Sequence, residues 1–274
     1  MNTTLSEDEK WMRYCLQIAE QGRGKVAPNP LVGAVVVHQG VLIAEGFHQR
    51  YGAAHAEVNA LAEIPDGADL KLTTLYVNLE PCAHFGKTPP CADLVIRRGV
   101  GRVVVGAADL NPRVAGQGIQ RLRDAGIVVQ VGVLERECIE LNRRFYGSMA
   151  FHRPYLVLKW AESAARFIGD PTQGRVKISG DAALRIVHRW RSEEQAIMVG
   201  TNTARLVDPA LTVRHASGRN PIRIIIDRKL SLPNTLQLFC DNAAPTWVIN
   251  ERREANQGSL RWINLEFGSN FISN

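Results

Sequence analysis

Apolar residues in the first half of the chain recur with the periods of a helix and of strands. Cys15 and Ile18 share one face of residues 7–22, a pattern typical of an amphipathic helix. Ser6 and Glu9 precede this run at capping-box spacing, where a hydroxyl and a carboxylate satisfy the backbone amides of a helix start. The pattern therefore predicts a first helix over residues 7–22.

Two further apolar runs, LVGAVVVH and VLIAEGFH, flank Gln39-Gly40 and predict a β-hairpin. Beyond this hairpin, helix-like and strand-like segments alternate. The predicted helices begin near His55 and near Cys91 and continue with GIQRLRDAG and LERECIELNRRF, and the predicted strands are TTLYVNL, RVVVGAAD and IVVQVG. Such alternation indicates a layered α/β domain with a largely buried sheet.

A break in this pattern at GSMAFHRP separates a second region from the first. Pro154 disfavours a helical conformation for the residue before it, and glycine and short polar residues precede it. We therefore predict one domain at residues 1–147 and another at 148–274. In the second domain YLVLKWA, AIMVG, IRIIID and TWVIN are predicted strands, and DAALRIVHRWR is a predicted helix. This domain is again α/β, although about 120 residues are few for a sheet covered on both faces.

Length, composition and charge narrow the class of protein. The 274 residues suffice for two domains, 45% are apolar, and no apolar run approaches the roughly 20 residues that span a bilayer. The acidic start MNTTLSEDEK does not resemble a signal peptide, so we expect a cytoplasmic protein that does not enter a membrane. Residues 1–150 hold 16 basic and 16 acidic side chains, whereas residues 151–274 hold 17 and 11. This excess fits either a solvated basic surface or a site for phosphate-bearing ligands.

The motif that points to chemistry is His55-x-Glu57, followed by Cys82 after a proline and then by Cys91. A catalytic zinc takes three protein ligands and leaves its fourth position to water, whose pKa it lowers to about 7. His55, Cys82 and Cys91 are the candidate ligands, and the segments lie at predicted helix starts, which favour thiolate over thiol. Glu57 is not needed as a ligand and is the candidate proton shuttle.

A structural zinc site is the alternative interpretation, with His84 as a fourth ligand beside the two cysteines. The combination of His-x-Glu with Pro-Cys about 25 residues later matches most of the zinc deaminase signature and favours catalysis. Eight residues separate the two cysteines here, and they bring His84, Lys87 and Thr88 close to the metal. Lys87 can meet a phosphate, and the other two can bind phosphate or sugar hydroxyls. An exposed loop lysine is the alternative for Lys87.

The first half resembles the riboflavin-biosynthesis bifunctional deaminase/reductase family. The matching text is APNPLVGAVVV, GFHQRYGAAHAEVNAL, LYVNLEPCAHFGKTPPCADLVI and VGAADLNPRVAGQGIQRLRDAGI. This resemblance implies a cytidine-deaminase-like three-layer α/β/α domain. It also implies that Asn29 and His48 join Lys87 and Thr88 as substrate contacts. An amide such as Asn29 can hydrogen-bond in both directions to a pyrimidine edge, and a turn residue before proline is the alternative.

The second half is similar to the reductase domain of the same family, through YLVLKWAESA, VHRWRSEEQAIMVGTNTARLVDPALTVR and PIRIIID. The resemblance implies a dihydrofolate-reductase-like fold that uses NADPH to reduce a ribosylamino sugar. Compared position by position with the family, Lys159 and Thr203 are implied to be cofactor contacts. Arg191, Leu211 and Arg214 are implied to be substrate contacts. The arginines have a physical basis too, because a guanidinium can donate two parallel hydrogen bonds to one phosphate, and a pair of surface arginines is the alternative.

This half also departs from the family pattern. Ala165-Arg166 replaces an expected Asp-Gly, and Lys177, Val207 and Arg228 replace a tryptophan, an aspartate and a serine. The family continues past Asn274 with a strand-helix set that carries a Glu-Gly-Gly turn. We therefore expect a reductase domain that is C-terminally incomplete relative to the family, and the expectation of hydride transfer rests on the family alone.

The sequence thus predicts hydrolytic deamination of a phosphorylated diaminopyrimidine ribosyl compound by a zinc hydroxide, with an NADPH-dependent reductase as the second domain. Competing hypotheses are a cytidine, guanine or tRNA-adenosine deaminase and a zinc-stabilised nucleic-acid-binding module. A nucleic-acid editor needs a basic, aromatic channel beside the metal, and the first half is neutral. We expect a small-molecule substrate, no nucleic acid, no membrane and a homo-oligomer.

Overall fold

The computed structural model describes residues 5–85, 89–109, 115–169 and 177–268. The chain divides into two compact units, Met1–Val157 and Leu158–Asn274. The domain boundary predicted from the sequence lies between residues 147 and 148, within a helix of the first unit. It stays a prediction. Among the described residues, no helix is both long and apolar enough to cross a membrane.

Helices and strands alternate along the first unit as the sequence pattern predicts. The elements are α1 Glu7–Glu20, β1 Gly33–His38, β2 Val41–Phe47, α2 Ala56–Ala62, β3 Thr73–Leu79, α3 Cys91–Arg98, β4 Arg102–Ala107, α4 Gln117–Asp124, β5 Val128–Val131, α5 Glu135–Leu141 and α6 Arg143–Phe151. The predicted capping box at the start of α1 is formed, since Ser6 and Glu9 exchange side-chain and backbone hydrogen bonds.

Within the described ranges, five strands of this unit form one sheet in the order β2-β1-β3-β4-β5. β1 pairs antiparallel with β2 and β3, whereas β3, β4 and β5 run parallel. The predicted hairpin is present: Gln39 and Gly40 both have positive φ, 47° and 77°, which suits the tight turn between twisted strands. The three parallel strands direct their C-terminal ends to one edge of the sheet.

Alternate residues of the central strands enter two separate cores. In β1, Ala34 and Val36 pack with α2, α3 and α4, whereas Val35 and Val37 pack with α1, α5 and α6. Strands buried on both faces explain the continuous apolar runs in the sequence. The three-layer α/β/α architecture predicted from the resemblance is therefore confirmed.

Gly46 of β2 permits helix α2 to lie directly on the sheet. A Cβ atom at this position would lie 2.4 Å from the backbone nitrogen of Ala60 and 2.7 Å from the carbonyl oxygen of Ala56. Any side chain here would push α2 away. This close approach fixes the helix whose first turn carries Glu57.

One predicted helix, LERECIELNRRF, is interrupted in the structure. It forms α5 and α6, and Asn142 stands between them with φ −104° and ψ 20°. The buried Asn142 amide binds Leu31 in both directions: Oδ1 accepts from its backbone nitrogen at 2.7 Å, and Nδ2 donates to its carbonyl at 2.9 Å. These tertiary hydrogen bonds compensate for the break in the helix. The helical period of the sequence does not predict them.

The second unit contains a separate sheet. Its elements are α7 Asp181–Glu193, β6 Ala196–Gly200, α8 Thr201–Val207, β7 Ile222–Ile226, α9 Gln237–Cys240, β8 Thr246–Asn250, β9 Ala255–Gln257 and β10 Leu260–Asn264. Within the part of the chain that the structure describes, the strand order is β6-β7-β8-β10-β9, with only β9 antiparallel to its neighbour. The α/β prediction for this half is confirmed.

The predicted strand YLVLKWA is wrong for this structure. No described strand includes residues 155–161. Leu158 is 82% exposed and Trp160 is 65% exposed, so this apolar segment lacks the burial that a strand of its composition needs. The sequence of residues 155–161 has a β-forming pattern, but none of the described strands pairs with this segment.

Asp8 connects helix α1 to the sheet through a two-pronged ion pair. Its Oδ1 and Oδ2 accept from Arg102 Nη1 and Nη2, each at 2.7 Å, and Oδ1 also accepts from the Tyr76 hydroxyl at 2.9 Å. The hydrogen bonds from Arg102 hold the pKa of Asp8 below its usual value, against the opposing effect of burial. The folded state therefore favours the ionised carboxylate.

We expect Asp8→Asn to lower the free energy of unfolding by about 1–2 kcal/mol near neutral pH. Because the folded pKa is depressed, the carboxylate's contribution is present above the unfolded pKa of about 3.9 and is lost as the pH falls through the folded value. Urea unfolding of parent and variant at about pH 7 and about pH 3 measures this. The same destabilisation at both pH values would contradict the assignment.

Candidate metal centre

His55, Cys82 and Cys91 lie together at one edge of the first sheet. Their ligand atoms all lie within 4.8 Å of one another. His55 Nδ1 is 3.2 Å from Cys91 Sγ and 3.6 Å from Cys82 Sγ. The three candidate ligands predicted from the sequence are thus brought together in the structure, although they are 27 and 9 positions apart along it.

Secondary structure places each of these side chains. His55 is the residue before α2, and Cys91 is the first residue of α3, so both stand at helix N-termini. Cys82 follows β3, and the Cys91 backbone N–H donates to its Sγ at 3.3 Å. The Ala92 N–H also donates to the Cys82 carbonyl at 3.1 Å. The start of α3 therefore binds the Cys82 segment through its unpaired amides.

The same contacts stabilise thiolate. A hydrogen bond from the Cys91 side chain, together with hydrogen bonds from His55 and the Cys91 backbone, lowers the pKa of the Cys82 thiol to about 4. The reciprocal hydrogen bond raises the pKa of Cys91, so in this pair the charge resides on Cys82. Hydrogen bonding to Cys82 raises the pKa of His55. A soft, anionic donor set of this kind is suited to zinc.

The spacing of the donors fits tetrahedral zinc. With zinc about 2.0 Å from nitrogen and about 2.3 Å from sulfur, a tetrahedral site separates N and S by about 3.5 Å. The observed separations of 3.2 and 3.6 Å lie on either side of that value. Three protein ligands leave one position for another ligand, as in catalytic rather than structural sites. His84, the alternative fourth ligand, is exposed and is not part of the cluster formed by described residues.

Glu57 lies beside this cluster in the first turn of α2. Its side chain is 3% exposed, and burial raises its pKa to about 7. Ala56 and Ala60, which lie one turn apart on α2, pack into the core, so the helix carries Glu57 on a rigid support. A buried carboxyl group with a pKa near neutrality has the acid-base properties of a proton shuttle.

Asn29 and His48 form a hydrogen-bonded pair near the metal ligands. His48 Nδ1 lies 2.9 Å from the Ala54 carbonyl, which only accepts, so Nδ1 carries the proton. Nε2 therefore accepts from Asn29 Nδ2 at 3.1 Å. Burial lowers the pKa of His48, which favours this neutral form, and its ring lies edge-on to His55 with centroids 5.8 Å apart. His48 is only 3% exposed, whereas Asn29 is partly exposed.

Three further substrate contacts were predicted in the loop between Cys82 and Cys91. His84 is exposed in the loop between β3 and α3. Lys87 and Thr88 lie outside the described residues. Their assignments as substrate contacts stay predictions.

In the second unit, the structure brings together the residues predicted to bind substrate. Arg191 Nη1 donates to the Thr212 carbonyl at 2.7 Å, and Arg214 Nη1 donates to the Thr212 hydroxyl at 3.2 Å. Leu211 is the buried neighbour of Thr212. The buried Arg191 Nε has no hydrogen-bond partner among the described atoms. A guanidinium with an unused buried donor beside a second arginine has the chemistry of an anion site.

Sequence reasoning missed His188 in this arrangement. Its Nδ1 accepts from the Arg214 backbone N–H at 3.0 Å. Burial, together with the nearby Arg191, Arg214 and His215, lowers the pKa of His188 to about 4, so the imidazole is neutral beside the arginines. Its place in DAALRIVHRWR, one helical turn before Arg191, was the only available signal.

The predicted cofactor residues are not brought together by the described contacts. Lys159 and Thr203 are both exposed. Among the described residues, no hydrogen bond or ion pair joins them, and Thr203 lies in α8.

Two protein families match the two halves of the chain. Residues 5–107 match the family described as the cytidine and deoxycytidylate deaminase zinc-binding region, and residues 154–264 match the RibD C-terminal domain. The first match contains all three metal ligands and Glu57.

Curated relatives match along most of the chain. The riboflavin biosynthesis protein RibD of Aquifex aeolicus is 41% identical over 255 residues, which is 93% of this chain and 71% of the relative. RibD of Escherichia coli is 41% identical over 264 residues, with 92% and 71% coverage. RibD of Synechocystis is 43% identical over 245 residues, and the match spans 66% of its length.

Solved structures agree with these matches. A diaminohydroxyphosphoribosylaminopyrimidine deaminase/5-amino-6-(5-phosphoribosylamino)uracil reductase from Thermotoga maritima superposes with TM-score 0.89 at 39% identity, covering 97% of this chain and 76% of that one. Acinetobacter baumannii RibD superposes with TM-score 0.84 at 36% identity, with 95% and 74% coverage.

The first unit is therefore a zinc-binding domain of the cytidine deaminase class, and the second is a dihydrofolate-reductase-like domain. Their combination in one chain defines a deaminase/reductase enzyme. The chain belongs to the RibD family of riboflavin biosynthesis, in which the deaminase half uses zinc and the reductase half uses NADPH.

We expect Cys91→Ser to reduce the zinc content from about one ion per chain to almost none, because a hydroxyl does not replace a thiolate ligand. Atomic emission after dialysis against a weak chelator measures this. Cys240→Ser is the matched control, since Cys240 is an exposed free cysteine of the second unit. Retention of zinc by Cys91→Ser would contradict the assignment of this ligand.

Proposed function

We propose that the first domain hydrolyses the amino group of 2,5-diamino-6-(ribosylamino)-4(3H)-pyrimidinone 5'-phosphate and produces 5-amino-6-(ribosylamino)uracil 5'-phosphate and ammonia. The observation that carries this proposal is the buried Glu57 beside the converging His55, Cys82 and Cys91. The Thermotoga protein named for this reaction is similar over 97% of the chain, which supports the choice of substrate.

The three ligands hold zinc, which supplies a water of lowered pKa when bound. Glu57 accepts a proton from the attacking water and delivers protons to the ring nitrogen and to the departing amino group, which leaves as ammonia. A carboxyl group with a pKa of about 7 can both accept and donate a proton near neutral pH. Burial serves this role because it excludes competing bulk water from the carboxyl.

Asn29 orients the pyrimidine in this proposal, and His48 orients Asn29. Because His48 Nε2 accepts from Asn29 Nδ2, the amide is held with Oδ1 as an acceptor for a donor group of the ring. His48 thus acts through Asn29, which refines its predicted role as a substrate contact. Lys87 is proposed to anchor the phosphate, and His84 and Thr88 to bind phosphate or sugar hydroxyls; these roles rest on the sequence alone.

For the second domain we propose NADPH-dependent reduction of the ribosyl group to a ribityl chain. The paired Arg191 and Arg214 support a phosphate site, with Leu211 as its apolar neighbour. Lys159 and Thr203 are proposed cofactor contacts from sequence position only. The homo-oligomer and the cytoplasmic location also stay predictions.

Glu57→Gln is expected to keep full zinc content and to lower the rate of ammonia release by about 100-fold or more, because an amide cannot carry the proton. Glu63→Gln is the matched control, as Glu63 is an exposed residue at the end of the same helix. Ammonia release from the phosphorylated diaminopyrimidine and zinc content are measured for all three proteins. Parent-like turnover of Glu57→Gln would reject its role.

For the second domain, Arg191→Ala is expected to weaken binding of 5-amino-6-(ribosylamino)uracil 5'-phosphate by about 10-fold or more, since charge-assisted hydrogen bonds contribute about 1.5–3 kcal/mol. Arg189→Ala is the control, because Arg189 lies on the same helix with its side chain 67% exposed. Calorimetric titration compares the variants. If both bind like the parent, the arginine pair is not the phosphate site.

A further inference from the structure

Glu80 is a buried carboxylate that the proposed reaction does not use. It stands two residues before Cys82 and is 7% exposed. Among the described residues, four backbone N–H groups donate to it: Gly118 at 2.9 Å and Ile119 at 3.2 Å to Oε1, and Gly116 at 2.9 Å and Asp109 at 3.1 Å to Oε2. A buried charge is stable only when it is satisfied in this way.

Three of these donors lie at the start of helix α4, and the fourth, Asp109, lies two residues after the end of β4. The residue before α4 is Gly116, which has no side chain to cap the helix. The carboxylate of Glu80 therefore caps α4 from another element and lies at the positive end of its dipole. A single oxygen, Oε2, also binds both Asp109 and Gly116, so it holds the two ends of the segment between β4 and α4 together.

Helix α4 in turn contacts the chain on both sides of Cys82. A Cβ atom at Gly118 would lie 1.9 Å from the Pro81 carbonyl oxygen, so the helix start rests on the residue preceding the ligand. Arg121 Nη1 donates to the Ala83 carbonyl at 3.1 Å, on the residue following it. The Cys82 backbone is thus held by α4 from both directions.

The second thiolate is tied to the same helix. Arg121 Nε lies 2.6 Å from the Asp93 carboxylate in the first turn of α3, two residues after Cys91. The Ala92 N–H also binds the Cys82 carbonyl at 3.1 Å. Through Arg121, helix α4 therefore braces both segments that carry sulfur ligands.

We propose that Glu80 is a positioning residue for the two thiolates: by fixing the start of α4 it sets the separation of Cys82 and Cys91 and thereby the affinity and geometry of the metal site. This inference rests on the zinc site of the proposed function. Groups that orient metal ligands typically contribute 10- to 100-fold in metal affinity or activity.

The test compares Glu80→Gln with Asp8→Asn. Glutamine has the same shape, but its amide nitrogen cannot accept hydrogen bonds. The two N–H groups that face this nitrogen therefore lose their acceptor, so two of the four hydrogen bonds are lost. Asp8→Asn removes a partly buried carboxylate of the same domain whose partners, Arg102 and Tyr76, are not metal ligands. Both variants lose stability, but the proposal assigns a metal effect to Glu80 alone.

Two readouts that do not require activity decide the outcome. Zinc affinity is measured by chelator competition, and the ligand-field spectrum of the Co²⁺-substituted protein reports the geometry of the thiolate site. We expect Glu80→Gln to bind zinc about 10-fold more weakly and to shift the Co²⁺ spectrum. Asp8→Asn should match the parent in both measurements.

Parent-like zinc affinity together with an unchanged Co²⁺ spectrum in Glu80→Gln would overturn the proposal and leave Glu80 a helix cap. If Glu80→Gln does not fold, Arg121→Ala replaces it, because Arg121 is 47% exposed and contacts both sulfur-bearing segments. We expect Arg121→Ala to bind zinc more weakly and to shift the Co²⁺ spectrum in the same way. Parent-like results in both measurements would reject the proposal that α4 positions the two cysteine segments. A parent that binds zinc but releases no ammonia would refute the proposed function without deciding the role of Glu80.

Discussion

The structure depends on the convergence of two helix starts and one strand end at a single edge of the first sheet. Helix α2 places His55 there, α3 places Cys91, and the chain leaving β3 places Cys82. The strand directions make this possible. Helix α3 begins where β3 ends and connects it to the parallel strand β4. Helix α2 begins after β2, which runs in the same direction as β3 because both strands pair antiparallel with β1. Without this register, residues so far apart in sequence could not share one ion.

Burial of charge at this edge requires a cation. Glu57 and Cys91 are almost inaccessible, and Cys82 holds a thiolate whose only described cationic neighbour is the imidazole of His55. Desolvating an anionic group costs several kcal/mol unless it is paired. A divalent ion offsets this cost directly, and the elevated pKa of Glu57 reflects the same cost for a proton-carrying group.

Local patterns predicted much of this architecture. The hairpin around Gln39-Gly40 and the strand at Thr73–Leu79 follow from periodicity and turn chemistry, and the metal ligands follow from their spacing. Interactions between distant segments were not predictable. The break at Asn142 depends on Leu31, and the four donors to Glu80 come from residues about 30 to 40 positions away. Such partners are known only when the fold is known.

The central claim is that one imidazole and two thiolates hold a single zinc ion with one position left for a non-protein ligand. X-ray absorption spectroscopy at the zinc edge of the metal-loaded protein tests this most directly. The account predicts two sulfur neighbours at about 2.3 Å and two nitrogen or oxygen neighbours at about 2.0 Å. A shell of four sulfur atoms, or one without sulfur, would contradict it.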